Sequence, residues 1–170
     1  MTAGISMYGA SVPVFVKALG NLALILEKAQ AHAEARKFDS AVLVSSRLYP
    51  DMLPLSNQVQ IASDSAKGGA ARLAQVEPPS FPDEEKTIPE LIERCRKTIR
   101  YLETLKPEQF VGSESRTVSW KTRTAEKTMQ GLPYLLHQVT PNVYFHVTTA
   151  YDILRHNGVE IGKKDFLNNG

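Results

Sequence analysis

Seven apolar residues between positions 12 and 33 constrain the fold more than any other feature of the chain. Val12, Phe15, Leu19, Leu22, Leu26, Ala29 and Ala33 follow one another at alternating steps of three and four. A helix turns once in 3.6 residues, so this spacing lines them along one helical face. A seam this long needs an equally long partner, which is the condition helix bundles meet. Val16, Ala23, Leu24 and Ile25 lie off the seam. The helix over 8–35 therefore has a second apolar contact, either within the chain or with another subunit. Pro13 fits only in its first turn, because proline lacks an N–H and clashes with the preceding turn.

The rest of the chain reads as further helices separated by punctuated connectors. Residues 36–53 form a connector with a short helix around 40–46, and Pro50 and Pro54 interrupt it. A second helix runs from Leu55 to Leu73. Its small residues Ala62, Ala66, Gly69 and Ala70 let a neighbouring helix come close, and Gly68 and Gly69 each cost roughly 1 kcal/mol against alanine. Residues 75–86 are a linker with Pro78, Pro79, Pro82 and an acidic patch at 83–85. Thr87 and Glu90 then match a capping box. Ile88, Leu91, Cys95, Ile99 and Leu102 continue at helical steps, which puts Cys95 on the core face as a small buried hydrophobe. Pro107 closes this third helix. Residues 108–130 are polar, with Val118 and Trp120 at strand spacing, and predict a long loop or small hairpin in which Trp120 anchors the segment on the bundle. The last helix spans 132–156, with Pro141 expected to kink or break it and Asn157-Gly158 as its stop. The tail 159–170 either packs or stays loose.

The fold class is thus all-α, and residues 1–170 are expected to form a single domain. With a formal charge of +2 and no Lys/Arg run longer than two residues, the chain has no electrostatic footprint for nucleic acid or a membrane surface. The apolar run near the N-terminus contains Lys17 and Asn21 and is too short to span a bilayer. One cysteine suits a reducing compartment, so a cytoplasmic protein is expected. There is no glycine-rich phosphate loop, no paired-cysteine zinc spacing and no HExxH pattern.

Three segments carry a resemblance. They are SMYGASVPVFVKALGNL (6–22), RLYPDMLPLSNQVQIASDSAKGGAARLAQVE (47–77) and GLPYLLHQVTPNVYFHVTTAYDILRHNGVEIGKKDFL (131–167). Together they resemble an uncharacterised bacterial and fungal family of unknown function that is grouped with the DinB-like proteins. The resemblance covers nearly the whole chain and is weakest at 108–130. It implies a DinB-like four-helix bundle with up-down-down-up connectivity, often dimeric, and it implies no particular reaction. The wider DinB-like group typically holds a divalent metal, zinc or nickel, with three histidines. One comes from the second helix and two from the last. Some members use the metal to activate a low-molecular-weight thiol for transfer, since metal binding favours the thiolate.

Carried onto this sequence, that pattern changes. His146 aligns with the second histidine of the pair, but Asn142 stands where the first belongs. On the second helix the matching position is Gln58, with Asn57 and Gln60 as register alternatives. Residues 139, 142, 143, 146, 147, 150, 153 and 154 share one largely apolar face, and Leu55, Gln58, Val59, Ala62 and Ala66 make a similar stripe on the second helix. Gln58, Asn142 and His146 therefore point inward and must find partners. Either they hydrogen-bond one another or an enclosed water, or they ring a metal or small ligand. Amide oxygens are weak neutral ligands, so the donor chemistry favours the network.

Other polar residues read more simply. Asp64 and Lys67 make an exposed ion pair on a face away from Gln58. His137 is a helix-face residue, His156 suits the helix C-terminus, and His32 is solvated. Tyr134, Tyr144 and Tyr151 belong to the core or to a pocket wall. Two functions from different classes follow. One is a homodimeric binding or structural bundle with a small pocket for a small-molecule ligand around Gln58, Asn142 and His146. The other is a divalent-metal-dependent transferase acting on a small thiol. A purely structural or stress-associated dimer without a ligand is a third.

Overall fold

All seven seam residues of the first helix are buried, none more than 2% exposed, in a computed structural model that describes residues 4–122 and 124–168. That helix, α1 (Val12–Arg36), has Pro13 in its first turn and ends on Lys37 in the left-handed conformation. The off-seam residues divide: Ala23 and Ile25 are buried, and Leu24 stays 45% exposed. The second apolar contact of α1 is thus found within the chain.

A short helix α2 (Ala41–Ser45) leads into α3 (Leu55–Ala74). The capping box expected at Thr87 is present, with Glu90 N–H donating to Thr87 Oγ1 and the Glu90 carboxylate accepting from the Thr87 N–H, and it starts α4 (Ile88–Thr104). After a 3₁₀ turn at Pro107–Phe110, strands β1 (Thr117–Lys121) and β2 (Glu126–Gln130) pair antiparallel, Thr117 opposite Gln130 and Lys121 opposite Glu126. The segment 108–130 is therefore a turn plus a hairpin, the second of the two expected forms, and the otherwise helical fold carries this one two-stranded sheet among the described residues. Arg116 holds it in place by donating to the carbonyls of Leu73, Gln109 and Val111. Leu73 is in the last turn of α3, whose carbonyls lack helical partners.

Of the two outcomes expected at Pro141, a kink or a break, the break does not occur. Helix α5 (Gly131–Tyr134), a π-helical turn (Leu135–Val139) and α6 (Thr140–His156) follow without leaving right-handed backbone at Leu135, Val139 or Thr140. A π turn inserts one extra residue per turn. It ends just ahead of the proline, which then sits in the first turn of α6, where a missing N–H costs least. The tail packs: Val159 and Ile161 are buried, and α7 (Lys163–Leu167) lies on α1. Asn21 is the polar interruption in the α1 run, and it donates to the Phe166 carbonyl at 2.8 Å. Residues 169 and 170 of that tail lie outside the described residues.

Helices α1 and α3 each pack on both α4 and α6, and these four long helices enclose one continuous core. Among the described residues no helix is long and apolar enough to cross a membrane.

Candidate functional site

The seam between α3 and α6 carries the polar residues singled out by sequence. Four pairs span this seam and its extension through α5. Gln58 meets His146, Ser65 meets Asn142, Gly69 faces Val139, and Arg72 meets Tyr134. The numbers rise along one helix as they fall along the other, so α3 and α6 run antiparallel.

Gln58 and His146 form a closed unit. His146 Nδ1 lies 2.7 Å from Gln58 Oε1, and both side chains are buried. Gln58 Nε2 donates to the Leu53 carbonyl at 2.9 Å, which fixes the amide orientation. The amide oxygen can only accept, so Nδ1 carries the hydrogen and Nε2 keeps its lone pair. Burial pushes the imidazole pKa down, favouring the neutral ring. The ring edge of Phe145 packs beside it at 5.1 Å between centroids. The alternatives Asn57 and Gln60 turn elsewhere: Asn57 donates to Gln60, and Gln60 to Glu85.

Asn142 does not join this unit. It is half-buried, and its Nδ2 donates to Ser65 Oγ at 2.7 Å. With Ser65 it lines a cleft of about 200 Å³ whose other walls include Arg72, Trp120, Tyr134 and Gln138. Trp120 packs on Tyr134 at 4.9 Å, so it anchors the hairpin as expected and also faces this cleft. Burial pushes the Tyr134 phenol up, against the pull of the neighbouring Arg72 guanidinium. The arginine lies back along α3 because position 68 is glycine. A Cβ there would come 2.8 Å from Arg72 Nη1.

The three aligned residues are a poor fit to a divalent metal. Only one is a strong ligand, and the ring nitrogen it turns to Gln58 carries hydrogen. Asn142 is committed to Ser65. Among the described residues no cluster of three or more His, Cys, Asp or Glu could hold a metal ion. A divalent cation needs stronger donors than one imidazole and two engaged amides.

Sequence reasoning missed a second polar cluster, centred on Arg94 of α4. Arg94, with a side chain 1% exposed, donates to Ser63, the Pro82 carbonyl, Glu85 and Asp64, and pairs with Asp83 at 3.1 Å. The Asp64–Lys67 pair is present at 2.8 Å, but Lys67 is buried and not exposed as expected. Its ammonium sits 4.1 Å from the Phe81 ring centre, with Lys97 at 4.0 Å. The acidic patch at 83–85 was the available signal; its partner lies in another helix.

The remaining candidates are peripheral. His137 and His156 are exposed. His32 is half-buried against Phe38, a correction to its expected solvation. Tyr151 packs on Phe166, and Tyr144 is 37% exposed. Cys95 is fully buried and desolvation pushes its thiol up to about 12, so it stays protonated.

A family model described as a domain of unknown function (DUF1993) matches residues 7–167. The crystal structure of a DinB family member from Shewanella denitrificans is 44% identical, with a TM-score of 0.88 over 94% of this chain and 90% of that one. No curated protein matches the chain.

Proposed function

The chain belongs to the DUF1993 family and is DinB-like, and within that family we propose that it is a small-molecule-binding bundle, not a metal-dependent enzyme. The observation that carries this reading is the polar cleft beside Asn142, next to a Gln58–His146 pair that already satisfies itself. Such a pair holds α3 and α6 in register and leaves the adjoining cleft to a ligand. The alternative, a transferase that activates a small thiol on a divalent metal, lacks its donor set.

The reading extends to the whole chain as a single domain, residues 1–170, with up-down-down-up helix order. In support, α3 and α6 are antiparallel, and the connection 75–87 is long enough to join two parallel neighbours. It extends also to a homodimer in the cytoplasm. A groove of about 640 Å³ lined by Ile5, Met7, Phe110, Val111 and Leu132 supports the dimer, because Ile5 and Val111 are 93% and 75% exposed. Light scattering over a dilution series tests it, and a monomer at micromolar concentration rejects it.

Metal analysis of protein purified without a polyhistidine tag tests the main reading. We expect no stoichiometric divalent metal. A stoichiometric metal that disappears in His146→Ala would return the assignment to the transferase.

A further inference from the structure

The side chains of the cleft between α3, α6 and β1 say what kind of ligand it takes. Among the described residues Arg72 makes no ion pair, and its one protein acceptor is the Tyr134 oxygen at 3.2 Å. The rest of its fork is free to donate. Tyr134 is 2% exposed and accepts from Arg72, while its own hydroxyl hydrogen has no acceptor among the described residues. Ser65 likewise accepts from Asn142, and its own hydrogen has no acceptor among the described residues. Three donors thus line one small space. The single carboxylate beside them, Asp64, is already answered by Lys67 at 2.8 Å and Arg94 at 3.0 Å. The half-exposed indole of Trp120 adds a flat apolar wall.

Two backbone features serve the same place. The π turn Leu135–Val139 presents Gln138 to the cleft, and such turns recur at functional sites. Gly68 provides the room in which the Arg72 guanidinium lies. The volume, about 200 Å³, is below the roughly 300–1,000 Å³ of ordinary ligand pockets, so the ligand is small.

We propose that this cleft binds a small organic carboxylate with a flat ring, its carboxylate held by Arg72 and Tyr134 and its ring laid on Trp120. Planar guanidinium groups favour such anions because two parallel N–H bonds match a carboxylate. The inference rests on the ligand-binding reading above and adds the chemical class.

Trp120 is the chain's only tryptophan, so its fluorescence reports on this cleft directly. Titration with benzoate is expected to give a saturable change. Uncharged benzamide, and benzoate on Arg72→Gln, should each bind at least about tenfold more weakly, as loss of a charge-assisted hydrogen bond implies. Gly68→Ala keeps the charge but crowds the guanidinium, and should weaken benzoate several-fold. An unchanged melting temperature for Arg72→Gln shows that the fold is intact. Equal binding of benzamide and benzoate, indifference to Arg72→Gln, or no saturable change with benzoate each overturns the proposal. A neutral ring compound whose binding is lost in Trp120→Leu would sink the carboxylate assignment and leave the ligand-binding reading standing. If no compound in a broad thermal-shift set stabilises the protein, both fall.

Discussion

His146 is the residue in which stability and chemistry are most tightly joined. Its Nδ1–H satisfies a buried amide oxygen, and its neutral form is the one the fold selects. His146→Ala leaves Gln58 Oε1 without a partner and opens a small void. A loss of about 2 kcal/mol is expected in urea unfolding. The loss should depend on pH, and the sign is fixed. The folded pKa lies below the ordinary histidine value of about 6.5, so the unfolded chain takes up its proton first as pH falls. The contribution of the neutral ring is full above about 6.5 and is lost as pH falls through the folded value. The stability gap between wild type and His146→Ala should therefore narrow between about pH 7 and pH 5. A gap that widens toward acid would contradict this account. At this scale much was legible in the sequence. Gln58 and His146 each stand on an inward face, and inward polar groups must pair. Asn142 was legible as inward but not as bonded to Ser65, because a serine on a helix gives no sign of whether its hydroxyl serves a neighbouring helix.

Adjacent glycines show why an element cannot be read from its composition. Gly68 and Gly69 look alike in sequence, each with the same propensity cost. Their surroundings differ. A Cβ at Gly69 would come 2.3 Å from Val139 Cγ1, a buried side chain on the π turn. A Cβ at Gly68 would meet only the end of the flexible Arg72 side chain. Gly69→Ala should cost about 1–3 kcal/mol through overpacking. Gly68→Ala should instead be neutral or stabilise by up to about 1 kcal/mol, because alanine is the better helix former. Thermal denaturation of the two variants side by side checks the contrast, and equal destabilisation would refute it. Pro141 makes the same point. Its missing N–H was legible, but the π turn that places it in a helical first turn was not, because the close packing of Gly69 on Val139 is tertiary. The strand spacing of Val118 and Trp120, by contrast, was a local signal, and it left open only the choice between loop and hairpin.

The arrangement of the whole molecule depends on how the chain crosses from α3 to α4, and Arg94 fixes that crossing. One buried guanidinium joins Ser63 and Asp64 on α3 to the Pro82 carbonyl, Asp83 and Glu85 in the connection. The bundle itself was legible from the α1 seam, whose every member is buried. The crossing was not, since its cation and its acids are separated by a helix start and no local spacing links them. Burial alone would raise the Glu85 pKa, but hydrogen bonds from Gln60 and Arg94 outweigh it and hold the carboxyl below its usual range. Its contribution is therefore full above about 4.3, the ordinary glutamate value, and is lost as pH falls through the folded value. Removing the cation is the stronger test. Arg94→Ala removes a buried donor shared by Ser63, Asp64, Glu85 and the Pro82 carbonyl and should cost about 3–5 kcal/mol, as broken buried pairs do. Arg94→Lys keeps the charge, but one ammonium cannot reach acceptors on two sides at once, so only part of the loss should be recovered. Asp83 is more than half exposed, and Asp83→Asn should change stability by no more than about 0.5 kcal/mol. Both arginine variants should also open the connection 75–87 to protease while Asp83→Asn leaves it resistant. If Arg94→Lys proves as stable as wild type, charge alone holds the crossing, and the fork geometry described here is not what sets the path of the chain.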